Sequence, residues 1–308
     1  MIETEELTKH FDRNHAVEHL NLQVKQGEIF AFLGPNGAGK TTTVRMLACL
    51  VAPTSGTARV AGFTVGAESD AIRSRIGILT ESPGLYEKLS ARQNLDFFAR
   101  LYGLSNSERA DAVKKHLEIL GLWERRDEPV GGFSKGMKQK LAIARALLHE
   151  PQVVFLDEPT SALDPEAAKV VRDFIAELKS EGRTIFLCTH NLDEADRLAD
   201  RIGIMKQKLI QVDTAENLRR KLYGRRVIVR MRAVSDAHLA ALKALAFVKG
   251  VERADSQVSV SVDDPDEKTP ALVRALVQAG GDIQSVGEEK HSLEDVYLSL
   301  VGNGGGQK

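Results

Sequence analysis

Cysteine is nearly missing from this chain, with two in 308 residues. Cys49 and Cys188 lie far apart and each sits in an apolar setting. They read as small core residues of a reducing compartment, and two unclustered thiols make a poor disulfide or metal site. No apolar run approaches the ~20 residues that a membrane helix needs. The N-terminus has no apolar signal region and carries Glu3, Glu5 and Glu6 instead, which argues against secretion. The expected protein is free in solution or peripheral to a membrane. An excess of either charge is missing as well: 42 Lys and Arg against 43 Asp and Glu leave a formal net charge of −1. A nucleic-acid binder would carry a basic footprint, so no nucleic-acid partner is expected. At this length two domains are expected, at ~150 residues each.

What is present is dense in a few segments. Gly34-Pro35-Asn36-Gly37-Ala38-Gly39-Lys40-Thr41 matches G-x-x-x-x-G-K-[ST], the phosphate-binding loop. Ile29–Leu33 before it reads as a buried strand, and 42–50 after it, from Thr42, as a helix. Glycines let successive backbone N–H groups turn toward phosphate oxygens, and a helix N-terminus adds its positive dipole end. Lys40 is placed to reach β- and γ-phosphates, and Thr41 to offer a hydroxyl to Mg²⁺. An ordinary glycine-rich turn would not need Lys-Thr between two apolar segments.

A phosphate loop alone does not separate GTPases, kinases and motor ATPases. Val153-Val154-Phe155-Leu156-Asp157-Glu158 is an apolar run ending in two acids. Asp157 suits the Mg²⁺ shell, the Walker-B role, and Glu158 can orient or deprotonate a water aimed at the γ-phosphate. Thr184–Thr189 is another apolar run, followed at once by His190. In one parallel sheet these ends would gather with the loop, which makes His190 a γ-phosphate contact rather than a solvated strand end.

Phe133-Ser134-Lys135-Gly136-Met137-Lys138-Gln139 opens a helix over 140–148, about twenty residues before the Asp-Glu pair. It resembles the L-S-G-G-Q signature, and the chain then resembles the ATP-binding subunit of an ABC transporter over roughly 2–220. Guanine-specific N-K-x-D is absent, and the module occurs once. The resemblance implies an α/β phosphate-loop ATPase with a helical subdomain at about 82–150, in a nucleotide-binding domain spanning 1–223. It implies that Phe11 stacks on adenine, the alternative being a core Phe. Ser134 and Gly136 match residues that touch the γ-phosphate held by another subunit, and Ser161-Ala162-Leu163-Asp164 matches the loop crossing that interface. Pro151 stands where the family usually has a proline, and His190 matches its switch histidine. The family's glutamine, after an I-G-x-x-x strand, falls on Glu81, which would face Mg²⁺ and the attacking water. Phe133, Lys135 and Met137 also depart from the usual signature, in a way compatible with the branch serving drug, antibiotic, sodium or polysaccharide exporters. The implied ligands are ATP and Mg²⁺. The implied partners are an integral membrane permease and a second ATPase subunit, with the chain peripheral on the cytoplasmic face of the cell membrane. A soluble ABC ATPase acting on ribosomes or DNA is the rival reading. It would usually bring a second module or a long coiled-coil insertion, and neither is here. A nucleotide-binding regulator without turnover is the other rival, disfavoured by intact Lys40, Asp157, Glu158 and His190.

Between 82 and 126, Leu95, Phe98, Ala99 and Tyr102 recur at i, i+3, i+4, i+7, and Leu117, Leu120 and Leu122 continue on the next helix. Pro83-Gly84-Leu85-Tyr86 is the candidate contact loop for the membrane partner, or a plain surface turn. From 224 the pattern changes. Val227, Val229 and Met231 alternate; Ser235 caps a helix; 251–254 is a short strand; Val258, Val260 and Val262 alternate; Thr269-Pro270 starts a helix to Ala279; a strand lies near 283–286; Ser292 and Asp295 cap the last helix. β-α-β-β-α-β is the order of a ferredoxin-like unit, here an accessory domain over 224–301. It reads as a packing or dimer-bracing appendage, or alternatively as a sensor. The glycine-rich tail 302–308 is expected to be disordered.

Overall fold

Three of the apolar runs become neighbouring strands of one sheet. The computed structural model describes residues 1–80, 84–161 and 163–302. Glu81, Pro83, Ala162 and the tail from 303 therefore lie outside the described residues. The chain divides into two units, Met1–Thr214 and a second beginning at Ala215.

The first unit runs β1 (Ile2–Phe11), β2 (Asn14–Val24), β3 (Ile29–Leu33), α1 (Lys40–Leu47), β4 (Ser55–Val60), β5 (Phe63–Thr64), α2 (Ser69–Arg73), β6 (Ile76–Leu79), α3 (Ala91–Leu101), α4 (Asn106–Ile119), α5 (Lys135–Leu147), β7 (Val153–Asp157), α6 (Pro165–Ser180), β8 (Thr184–Thr189), α7 (Leu192–Leu198), β9 (Arg201–Lys206) and β10 (Lys208–Asp213). Six strands form the central sheet in the order β10-β9-β3-β8-β7-β6, parallel except for β10 at the edge. β2-β1-β4-β5 form a separate antiparallel sheet.

Every residue of β3, β7 and β8 is buried, as expected for parallel strands covered on both faces. The period of two divides each run between two cores. Ile29, Val154, Leu156, Ile185 and Leu187 face a helical core with α3 to α6 residues such as Leu95, Leu117, Leu141 and Ile175. Phe30, Phe32, Val153, Phe155, Phe186 and Cys188 face α1 and the antiparallel sheet. Phe186 packs its ring against Phe30, Phe32 and Phe155 with centroids at 5.5, 5.3 and 5.7 Å.

In the helical subdomain, Ser90 with Gln93 and Ser105 with Glu108 form reciprocal caps that start α3 and α4. Leu95 and Ala99 are fully buried, whereas Tyr86, Phe97, Leu101 and Tyr102 stay exposed. The signature helix differs from the sequence expectation. α5 begins at Lys135, because the Ser134 hydroxyl accepts from the Met137 N–H at 3.2 Å. The motif is therefore the helix's first turn, where 140–148 was the expected span.

The second unit holds α8 (Ala215–Tyr223), β11 (Arg226–Met231), α9 (Asp236–Lys243), β12 (Gly250–Ala254), β13 (Gln257–Ser261), α10 (Pro265–Gln278), β14 (Ile283–Glu288) and α11 (Leu293–Gly302). Its strands lie in the order β12-β13-β11-β14, all antiparallel: the ferredoxin-like arrangement. Val227, Val229, Met231, Val258 and Val260 meet Leu242, Leu272 and Leu276 in one core. The unit starts nine residues before the expected 224, because α8 packs on α11. Tyr223 stacks on His291 at 3.9 Å, and its hydroxyl bonds Ser299 at 2.7 Å. α10 also starts earlier than expected. Asp264 accepts from Glu267 N–H at 3.2 Å, and Pro265 occupies the first turn. Pro265, Leu272 and Leu276 are buried along one stripe, so burial extends the helix through Pro270 despite the hydrogen bond that proline forfeits.

Candidate functional site

The carboxyl ends of β3, β7 and β8 open on a cavity of about 510 Å³, lined by Phe11, Asn14, Ala16, 36–42, Asp157, Glu158, Ser161 and His190. Adjacent register explains the meeting: Leu33 pairs with Thr189, and Asp157 with Cys188. Strands β3 and β8, more than a hundred residues apart in sequence, thus end side by side, with β7 next to β8.

The loop from β3 to α1 has two glycines in the left-handed region, Gly37 at φ 79° and Gly39 at 99°. A Cβ on Gly39 would stand 2.2 Å from the Ala16 carbonyl oxygen, so only glycine lets the loop close against β2. Lys40 is buried, and its Nζ donates to the carbonyls of Gly34 and, at 3.1 Å, Pro35. These bonds hold the ammonium across the mouth of the loop. Thr41 Oγ1 donates to Asp157 Oδ2 at 2.9 Å. A hydroxyl and a carboxylate side by side form a hard oxygen pair. Mg²⁺ takes one or two protein oxygens together with water and substrate phosphate, so the donors present fit it. The open N–H groups of the α1 N-terminus likewise fit a polyphosphate.

Glu158 follows Asp157 with φ 52°. A left-handed non-glycine residue costs on the order of 1–3 kcal/mol and persists where its surroundings over-determine it. Its N–H donates to Cys188 O at 2.8 Å. Its carbonyl accepts from Ser161 Oγ at 2.9 Å, Ser161 N at 3.2 Å and Gln139 Nε2 at 3.2 Å. The carboxylate meets His190 Nδ1 at 2.8 Å. Burial, followed by the charge of Asp157, pushes the adjacent Cys188 thiol well up. That thiol therefore stays protonated as core filling.

Most of the residues expected from sequence come together here. Phe11 is 45% exposed at the cavity edge, not in the core, with Lys9 Nζ 4.9 Å from its ring centre. Ser134 and Gly136 do not line this cavity; they occupy the N-terminal turn of α5. Leu163 packs close to Gly136, and Asp164 caps α6 through Ala167 N–H at 2.8 Å. Glu81 lies outside the described residues. Three participants were missed. Asn14 and Ala16 enter because the β1–β2 hairpin pairs Phe11 with Asn14; the short Asp12-Arg13 break between two alternating runs was the available signal. Gln139 had no signal beyond its place at the end of the signature segment.

The comparisons with known proteins agree over nearly the whole chain. Residues 17–161 match the ABC transporter family, and 214–301 match the C-terminal domain of DrrA1-3-like ATP-binding proteins. The bacitracin transport ATP-binding protein BcrA of Bacillus licheniformis is 38% identical over 99% of this chain and 98% of its own length. This chain belongs to the ABC transporter ATP-binding subunits. The daunorubicin resistance ATP-binding protein DrrA3 of Streptomyces coeruleorubidus is 37% identical over 96% of the chain and 94% of its own. A solved ATP-binding subunit of an ABC transporter covers 73% of this chain and 94% of itself, with 32% identity and a TM-score of 0.68. The dimeric cassette MJ0796, 27% identical, covers 70% of this chain and 98% of itself with a TM-score of 0.65. As a member of this ABC ATPase family the chain binds and hydrolyses ATP.

Proposed function

We propose that this subunit supplies the energy for a separate membrane permease that works as an exporter. The observation that carries the chemistry is the convergence of Lys40, the Thr41–Asp157 pair and the Glu158–His190 pair on one cavity. Phe11 offers its exposed ring to the adenine face. The α1 N–H groups and Lys40 hold the phosphates. Thr41 and Asp157 would hold Mg²⁺, which would supply positive charge against the phosphates. Glu158 orients the attacking water and accepts its proton. With Nδ1 on that carboxylate, His190 keeps the base oriented and turns Nε2 toward the γ-phosphate. Ser134 and Gly136 stand outside their own chain's cavity, which suits a role over the nucleotide of a second subunit. Two chains would then close two sites in an isologous dimer.

Bacitracin transport and daunorubicin resistance, named for relatives that align end to end, support export as the direction. Among the described residues no helix is long and apolar enough to cross a membrane. The face proposed for the permease on the cytoplasmic side is the aromatic cluster formed by α3 and by Tyr86 ahead of it. Tyr86, Phe97 and Phe98 pack within 5.1–5.9 Å of one another, and Leu101 beside them is 68% exposed. Exposed apolar groups gathered in this way mark interaction sites. A tagged chain should draw one integral membrane protein from detergent-solubilised cells, and Phe97→Asp with Leu101→Asp should release it while MgATP binding persists. Capture of ribosomes in place of a membrane protein would overturn the permease reading in favour of the soluble rival.

A further inference from the structure

The signature helix and the acid after Walker B are bonded to each other within one chain. Gln139 is buried on α5, the helix whose first turn carries Ser134 and Gly136. Its Nε2 donates to the carbonyl oxygens of Glu158 and Pro159, each at 3.2 Å. The first of these carbonyls belongs to the peptide that directly follows Glu158, a residue in the left-handed conformation. Glu158's other backbone anchors come from the neighbouring strand β8 and from its own loop: Cys188 O on the amide, and Ser161 N and Oγ on the carbonyl. Among these anchors Gln139 is the one carried by a helix, and that helix begins with the signature turn.

We propose that Gln139 is a positioning residue for Glu158, and that through it the signature turn of a chain sets the aim of that same chain's hydrolytic carboxylate. The proposal rests on the reading of Glu158 as the base. The physical reasoning is short. An amide bonded to the carbonyls of both Glu158 and Pro159 resists rotation of the Glu158–Pro159 peptide. Glu158 has no glycine-like freedom, so a small rotation of that peptide swings its carboxylate away from the water. Misplacement of about 1 Å costs ~10²-fold in rate. A helix that moves when its first turn engages a second subunit's nucleotide would carry Gln139 with it. Occupancy of one site would thereby be felt at the base of the other.

The test compares steady-state MgATP turnover of the full-length parent, Gln139→Met, Glu158→Gln and the double variant. Methionine keeps the volume and loses the donor. Gln139→Met should lower kcat on the order of 10–10²-fold, with KM for MgATP within about twofold and the unfolding midpoint by Trp123 fluorescence close to the parent. A packing defect would move that midpoint, and a binding defect would move KM. The double variant should lose no more than Glu158→Gln alone, because Gln139 acts through that carboxylate. If Gln139→Met does not fold, Gln139→Asn serves: it keeps the amide on a shorter stem and should give an intermediate kcat at unchanged KM. Near-parental kcat in the folded donor-free variant, or a further loss on top of Glu158→Gln, overturns the proposal. Parental turnover by Glu158→Gln itself would instead overturn the assignment of the base.

Discussion

In the first unit, three residues of the cavity wall, Gly37, Gly39 and Glu158, stand in the left-handed region of backbone space. In the second unit, β11 and β13 pair through five successive residues without a shift. The positive-φ residues there, Gly224, Asp255 and Gly280, fall in turns between elements. Both units bury apolar side chains of their strands against helices. The difference is what stands at the strand ends. Buried or half-buried charge needs partners, and Lys40, Asp157 and Glu158 find them in carbonyls, a hydroxyl and an imidazole. The carboxylates around Arg225 in the second unit, Glu288 at 2.8 Å and Asp266 at 3.4 Å, form an exposed surface cluster of the kind that contributes little. Regular packing is shared by both units, and the partnered charges gathered at strand ends around a cavity belong to the first.

The comparison breaks most sharply at Glu158. Glu158→Gln should cut turnover by roughly 10²–10⁴-fold while leaving MgATP bound, and gel filtration with MgATP should show a trapped dimer. Near-parental hydrolysis would remove Glu158 from its role.

Acid should separate the units next. His116 is buried on α4, and its pKa is lowered from the ordinary 6.5 to about 4 by burial first, then by Lys115 and Arg183. The unfolded chain takes up this proton below 6.5 and the folded chain does not until about 4. Stability is therefore complete above 6.5 and is lost as pH falls through that window, by about 3 kcal/mol at most. Trp123, the single tryptophan, reports on this subdomain. Its urea midpoint should fall between pH 7.5 and 4.5, and His116→Leu should flatten the fall; an equally steep fall in the variant would assign it elsewhere.

Phe11→Ala should weaken nucleotide binding by about 1–3 kcal/mol if the ring stacks on the base as aromatic rings do on bases elsewhere. Because a ring face does not read base edges, GTP affinity should drop in parallel, as titration calorimetry would show. Unchanged affinity with lowered thermal stability would return Phe11 to a packing role.

The smallest effect is expected from cutting the units apart. A chain ending at Thr214 should fold and bind MgATP with parental affinity, since none of the described residues lining the cavity lies beyond it. If the second unit braces the dimer, this shortened chain should dimerise less readily by light scattering. An insoluble product would show that the first unit depends on the second.

Much of the site was legible because its residues are contiguous in sequence and chemically unusual. Lys-Thr after a glycine-rich loop, two acids after an apolar run and a His after another each announce themselves without three-dimensional information. The second unit was legible for a different reason: its half-buried strands alternate, and Ser235 and Ser292 cap where hydroxyls satisfy open N–H groups. The start of α10 was misread because Asp264-Pro265 and Thr269-Pro270 are equivalent local signals. Burial of Pro265 chose between them.

The sequence by itself determined which groups are available: the phosphate loop, the acid pair, the histidine and the two hydrophobic periodicities. These follow from covalent order and from the fixed repeats of strand and helix. Only the tertiary structure decided which groups touch. The parallel register sets Thr41 on Asp157 and His190 on Glu158. The β1–β2 hairpin brings Asn14 and Ala16 into the cavity, and the packing of α5 delivers Gln139 to the back of the catalytic peptide. These contacts join positions 19 to 116 residues apart, and no local pattern encodes a distance across space.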